Sequence, residues 1–222
     1  MMYFIVRNFL KLFLIMFMGF RVYGKEKVPK KGAFILASNH VSHLDPPALA
    51  SASPRVLRFM ARQTLFDNRL LGWVIGSCGV FPVKRGEADI GAMKKAIRLL
   101  KSGEVLFVFP EGTRSESGEM SEAQPGMGYL SLMGGAPILT AYVEGTDKAM
   151  PKGANRIKLG RVSVYFGDLI EPQKLGLPSD RKEAAQRLSD HVVEEIKRLG
   201  QETSVASRRR REKIQRKKGV AL

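Results

Sequence analysis

The first twenty residues, MMYFIVRNFLKLFLIMFMGF, are dense in apolar side chains and interrupted by Arg7 and Lys11. The unbroken run Leu12–Phe20 has nine residues, well short of the roughly 20 that a bilayer-spanning helix needs. Arg7 and Lys11 are four apart and share one helical side, with Phe4, Ile5, Leu12 and Met16 largely elsewhere. This pattern predicts a helix lying in one leaflet with its two cations toward headgroups. A buried core helix is the alternative, opposed by the cost of burying two charges. No small-residue cleavage site follows Phe20; the chain continues with Arg21, Tyr23 and Lys25, so a signal peptide is not indicated.

Beyond Val28 the pattern alternates. Short apolar, β-prone runs stand at Ala33–Ser38, Arg55–Met60, Val80–Val83, Val105–Phe109, Pro137–Val143 and Arg161–Phe166. Between them, Met93, Ile97 and Leu100 recur at helical spacing within Ile90–Lys101, and Gly126–Gly134 reads as a short helix. Ala184, Leu188, Val192, Ile196 and Leu199 mark one stripe of a late amphipathic helix that Gly200 is expected to stop. Strand and helix in alternation predict an α/β layer fold, with a mixed, largely parallel sheet flanked by helices and an N-terminal membrane-associated helix. The expected organisation is an interfacial helix over 1–24, one domain over 25–200, and a tail over 201–222. No internal repeat is present.

Composition narrows this picture. The chain has 222 residues, enough for one domain, and its 44% hydrophobic content supports a folded core. The single cysteine, Cys78, excludes an internal disulfide and suits a reducing compartment. Net charge is +16, of which the stretch Arg208–Lys218, with eight cations and one anion, carries +7, leaving +9 for the rest. Both parts favour anionic partners: acidic lipid headgroups, phosphorylated substrates or nucleic acid. The tail reads as a mobile segment or as a helix that forms only on a surface.

Three clusters carry candidate chemistry. Asn39-His40-Val41-Ser42-His43-Leu44-Asp45-Pro46 follows the first predicted strand and holds two of the three histidines of the chain. A histidine paired with a carboxylate makes a general base of defined tautomer. On a regular helix His40 and Asp45 would diverge, so their pairing requires a turn, for which Asp45-Pro46-Pro47 is suited. The second cluster, Phe109-Pro110-Glu111-Gly112-Thr113-Arg114-Ser115, follows the strand VLFVF. It offers a glycine for close backbone approach, hydroxyl donors and a guanidinium fork for phosphate oxygens. The third, Gly79–Gly86, ends in Lys84 and Arg85.

Taken in order, these blocks and the apolar Ala136-Pro137-Ile138-Leu139 resemble the glycerolipid acyltransferase family, and within it the bacterial 1-acylglycerol-3-phosphate acyltransferases. The resemblance runs from Asn39 to about Tyr142, nearly half the chain. The first and second of these clusters match N-H-x-x-x-x-D and F-P-E-G-T-R-S almost verbatim. Two departures stand out: Gln124-Pro125 where a lysine is common before the next glycine, and Thr140 where a proline is common. The resemblance implies His40 as general base with Asp45 orienting it. Lys84, Arg85, Glu111, Gly112 and Arg114 would hold the phosphate and glycerol oxygens of the acceptor, with Thr113 and Ser115 in the same loop. Pro137 and Ile138 would shape an acyl or acceptor pocket. It further implies a membrane lipid acceptor, an acyl thioester of coenzyme A or acyl carrier protein as co-substrate, no cofactor and no metal. The expected location is the cytoplasmic face of the membrane, with the basic tail on anionic lipid.

Such a reaction needs no serine or cysteine nucleophile, because a thioester is already activated; no G-x-S-x-G is present. Two rival readings carry less. His40, His43 and Asp45 could serve as metal ligands, but no second cluster accompanies them. A nucleic-acid-binding or membrane-binding module would need only the cations and has no use for a His–Asp pair, and the chain lacks a recognised RNA motif.

Overall fold

The computed structural model describes residues 2–84, 89–115, 118–151, 153, 154 and 156–219, with 205–219 as backbone alone. In chain order the elements are α1 (Met2–Met18), β1 (Arg21–Tyr23), β2 (Phe34–Ser38), α2 (Asp45–Ala52), β3 (Leu57–Arg62), α3 (Arg69–Ser77) and β4 (Val80–Val83). There follow α4 (Ile90–Lys101), β5 (Val105–Val108), α5 (Pro125–Gly134), β6 (Ile138–Glu144), α6 (Thr146–Ala149), β7 (Ser163–Ile170) and α7 (Arg181–Gly219). Seven strands form one sheet in the order β1-β7-β6-β2-β5-β3-β4. Every neighbouring pair is parallel except β6–β7. The expected mixed, largely parallel sheet between helices is therefore the fold.

Alternation along the central strands builds two cores. Phe34 and Leu36 of β2, Val105 and Phe107 of β5, and Leu139 and Ala141 of β6 face α1 and α2, meeting Leu14, Met18, Ala48 and Leu49. Their neighbours Ile35, Ala37, Leu106 and Ile138 face the other way, toward Ala96 and Leu100 of α4, Leu130 of α5, and Leu188, Val192 and Ile196 of α7. The strands β2 to β6 run side by side in parallel, so all their carboxyl ends emerge at one edge. In open α/β sheets that edge is where ligands bind.

Four features differ from the sequence-based expectation. Residues 21–23 are not part of the N-terminal helix but pair with Ser163–Tyr165 as β1; glycines of positive φ, Gly19 and Gly24, set them off. The chain between β3 and β4 folds as α3, although its apolar residues have no polar stripe to mark a helix. α1 is docked on the domain as well as exposed: Tyr3, Leu14 and Met18 are buried, and the Tyr3 hydroxyl accepts from Leu57 N at 3.1 Å. Gly200 does not end α7. A Cβ at Gly200 would lie 2.6 Å from the Tyr142 ring, so this glycine admits a neighbour and the helix runs on.

Candidate active site

The loop between β2 and α2 is held from three sides. Asn39 extends the β2–β6 pairing with its side chain: Oδ1 accepts from Val143 N at 2.8 Å and Nδ2 donates to Val143 O at 3.0 Å. Ser42 Oγ donates to Met150 O at 2.6 Å and accepts from Leu44 N at 3.1 Å. Asp45 opens α2, and its wholly buried side chain turns back on the loop. Its Oδ2 accepts from Val41 N and Ser42 N, each at 2.7 Å, and meets His40 Nδ1 at 2.8 Å. Because that carboxylate accepts from backbone amides, His40 Nδ1 is the donor and Nε2 keeps its lone pair. The His40 side chain is 12% exposed. Its ring stacks on Phe109, with centroids 3.7 Å apart and planes 10° from parallel. Tautomer, orientation and a flat apolar backing are thus all fixed.

β5 is the neighbour of β2, so the segment after it lies beside His40. Glu111 is 4% exposed and both its oxygens are engaged. Oε1 accepts from His40 N at 3.1 Å, and Oε2 accepts from Ser121 N at 3.0 Å and Ser121 Oγ at 3.2 Å. Ser115 N donates to His40 O at 2.8 Å. Gly112 takes φ 67, a conformation that favours glycine, and its N–H closes a turn on Phe109 O at 3.0 Å. Gly112 and Thr113 are exposed, and Ser115 Oγ accepts from Gly118 N at 3.0 Å. Arg114 is half-buried, and no described residue accepts from its Nη1, which is itself buried. Burial first, then the charges of Arg114, His40 and Arg62, hold His43 below the ordinary histidine range, against an opposing pull from Asp45. His43, Arg114 and Arg62 therefore share one electropositive neighbourhood beside His40.

The structure thus brings His40, Asp45, Glu111, Gly112, Thr113, Arg114 and Ser115 to one edge. Lys84 lies at that edge too, but β5 and β3 stand between its strand and β2, a separation of roughly 14 Å at about 4.8 Å per strand. Arg85 lies outside the described residues. Pro137 and Ile138 are not at this edge. Ile138 pairs with Ile35 near the start of β2 and is fully buried in the core. It lies five residues from Val143, about 17 Å along β6, so it contributes packing and does not line the mouth around His40. Glu111, which the resemblance implies as a ligand of the acceptor oxygens, has its carboxylate bound to the His40 loop and to Ser121. Sequence reasoning missed Arg62, Phe109, Asn39 and Ser121. Phe109 and Asn39 sat within the recognised blocks; for Arg62 the position at a strand end was the available signal.

No three His, Cys, Asp or Glu side chains among the described residues come together as a metal-holding group. What the arrangement can do is accept a proton at His40 Nε2 beside cationic groups suited to an anion.

A model of the acyltransferase family matches residues 19–144. The chain is 30% identical over 200 residues to the 1-acyl-sn-glycerol-3-phosphate acyltransferase of Bacillus subtilis, covering 89% of this chain and 96% of that protein. It is 29% identical to the chloroplastic enzyme of the same activity from Arabidopsis thaliana, over 78% of this chain and 49% of that protein, and so spans about half the length of the plant relative. The crystal structure of the 1-acyl-sn-glycerophosphate acyltransferase PlsC from Thermotoga maritima superposes with a TM-score of 0.72 at 26% identity, covering 88% of this chain and 79% of that one. The match covers more than half the chain and includes both loops that meet at His40: this protein belongs to the acyltransferase family and is an acyltransferase.

Proposed function

We propose that the protein transfers a fatty acyl group from an acyl thioester to the sn-2 hydroxyl of 1-acylglycerol 3-phosphate, giving phosphatidic acid. The observation that carries this reading is the His40–Asp45 pair at 2.8 Å, set at the carboxyl edge of the sheet beside a cationic neighbourhood. The names of the relatives supply the acceptor.

In the proposed reaction His40 Nε2 takes the proton of the acceptor hydroxyl as its oxygen attacks the thioester carbonyl. A free alkoxide is too basic to form near neutral pH, so bond formation and proton removal proceed together. Asp45 holds the imidazole and stabilises its positive charge. The tetrahedral intermediate collapses with cleavage of the carbon–sulfur bond, and the thiolate leaves with the proton returned from His40. Asp45, Asn39 and Glu111 act through the position of His40; Arg114 and Arg62 are assigned to the phosphate of the acceptor, with Gly112, Thr113 and Ser115 shaping the loop around it and Lys84 and Arg85 farther along the same edge. The thioester is activated already, so no cofactor is required. Coenzyme A or an acyl carrier protein would carry it.

The acceptor is a lipid, and the proposed location is the cytoplasmic face of a membrane. No described helix is long and apolar enough to cross one. α1 instead exposes Ile5, Phe9, Leu12 and Met16 on the side away from the domain, which supports seating in one leaflet. The basic tail adds attraction to anionic headgroups.

The test is acyl transfer in detergent micelles from palmitoyl-coenzyme A and from palmitoyl-carrier protein, with lysophosphatidic acid, glycerol 3-phosphate and lysophosphatidylcholine as competing acceptors. Phosphatidic acid as the main product from either donor is the expected result. Preference for an acceptor lacking phosphate monoester would overturn the assignment of Arg114 and Arg62.

A further inference from the structure

α3 has the sequence RLLGWVIGS and, across its nine residues, not one buried side chain. A soluble helix with so apolar a sequence ordinarily buries a stripe. Here Leu70 is 73% and Trp73 59% exposed, with Leu71 and, just before the helix, Leu65 also open. α3 does not stand alone. Its inner side, through Ile75, joins Cys78, Tyr3 and Val6 in one apolar cluster, which places α3 beside the first turns of α1, where Phe4 and Ile5 are open and lead on to the open Phe9, Leu12 and Met16. The two helices therefore offer adjoining apolar surfaces on the same side of the sheet. Contiguous apolar surface of this kind marks an interaction site.

We infer that the outer side of α3 is a second membrane contact, continuous with that of α1, and that together they seat the catalytic edge on an anionic bilayer. This rests on the lipid-acceptor reading above but goes beyond it, since that reading needs α1 alone. Two observations choose the occupant. The first is charge: α1 and the segment from Arg62 to the end of α3 carry Arg7, Lys11, Arg62 and Arg69 against Asp67. Such a surface repels a second copy of itself and attracts anionic headgroups. The second is position. α3 begins at Arg69, seven residues after Arg62 at the end of β3, the edge that carries His40 and Arg114, and α1 ends at that edge too, where Val162 N donates to Met18 O. A bilayer on both helices lies against the mouth of the site, so that an acceptor headgroup reaches Arg62 and Arg114 while its chain stays in lipid. An exposed tryptophan among leucines suits the interfacial depth.

Trp73 is the only tryptophan of the chain, so tryptophan emission, excited to the red of the tyrosine band, reports on α3. The experiment adds vesicles of equal parts phosphatidylcholine and phosphatidylglycerol to the full-length protein. It follows sedimentation, tryptophan emission, and quenching by lipids brominated in the acyl chain. The expected result is sedimentation with a shift of emission to shorter wavelength and quenching. Replacing Leu70→Glu and Leu71→Glu together should weaken vesicle partitioning at least about tenfold and leave the thermal midpoint unchanged, both side chains being exposed. Sedimentation with unmoved, unquenched emission overturns the inference and leaves α1 as the membrane contact. An emission shift that depends on protein concentration without vesicles overturns it in favour of a second copy. Absence of both sedimentation and shift overturns it together with the membrane seating of α1, while acyl transfer in detergent still judges the chemistry separately.

Discussion

Asp45 Oδ2 gathers three donors, two backbone amides and the His40 ring, and this shapes what its replacement tests. In Asp45→Asn the amide oxygen stays with the two fixed N–H groups, so the pairing with His40 persists and the negative charge is lost. The expected fall in kcat is about a hundredfold; Asp45→Ala, which removes the orienting acceptor as well, falls further, toward about ten-thousandfold. Equal losses in the two variants would contradict a separable orienting role. Glu111 is argued to act through His40 by its hydrogen bond to His40 N. Glu111→Ala should therefore lower kcat by about a hundredfold, the cost of a displacement near 1 Å, with little change in KM for lysophosphatidic acid. A raised acceptor KM at unchanged kcat would make Glu111 a direct acceptor ligand. His43 supplies a pH test. Its pKa is held below the ordinary value of about 6.5 by burial and by Arg114, His40 and Arg62. It stays neutral in the folded protein while the unfolded chain takes up a proton, so its contribution to stability is present above about pH 6.5 and is lost as pH falls from there toward its folded pKa. An NMR titration should find its midpoint below 6.5 and find it raised in Arg62→Gln; a midpoint at or above 6.5 would contradict this electrostatic picture. At this scale the His40 and Asp45 roles came from the resemblance of their block to N-H-x-x-x-x-D, since a histidine near an aspartate does not by itself separate a base from a structural hydrogen bond. The sequence could not name the stack on Phe109 or the ties of Glu111, which depend on β2 and β5 being neighbours.

Helix packing explains two glycines that look like breakers or loop formers in the sequence. Gly126-Met127-Gly128 is not a phosphate loop; it opens α5 where that helix crosses α7. A Cβ at Gly128 would stand 2.0 Å from Ala185 O, and Gly128 N donates to Ser189 Oγ at 3.0 Å. Gly128→Ala gains up to about 1 kcal/mol in helix propensity but must push two backbones apart, so a net loss of about 1–3 kcal/mol is expected. Thermal unfolding reads it, and a raised midpoint would show that the close crossing is not required. The central strands were legible as short continuous apolar runs, buried on both faces, and the amphipathic helices α4 and α7 because burial on one side imprints a period on the sequence. α3 was not, since a helix open on its apolar side has no polar stripe. β1 was not, because three residues gain their strand identity from β7 alone. Gly200 was misleading because its reason, the Tyr142 ring, lies 58 positions away.

The whole molecule divides its work between two sides of the sheet. α1 and α3 expose apolar surface, whereas α5 and α7 close the opposite core and α7 carries the cations onward. The last described residue of α7 to be buried on the domain is Thr203. Ending the chain after Ser204 removes +7 of the +16. It should leave the thermal midpoint unchanged while making vesicle binding less dependent on anionic lipid and on salt; a collapsed midpoint would mean that the tail belongs to the fold. The gross architecture followed from the strand–helix alternation, and the family from two short blocks, but the order of strands, which decides that His40 meets Glu111 and not Lys84, is a property of the assembled sheet. The central claim is that His40 is the general base of acyl transfer, and the most direct measurement is the single-turnover rate of transfer to lysophosphatidic acid in His40→Ala beside the parent protein. A fall of at least about a thousandfold with the fold intact by circular dichroism is the predicted result; a rate within tenfold of the parent would contradict it.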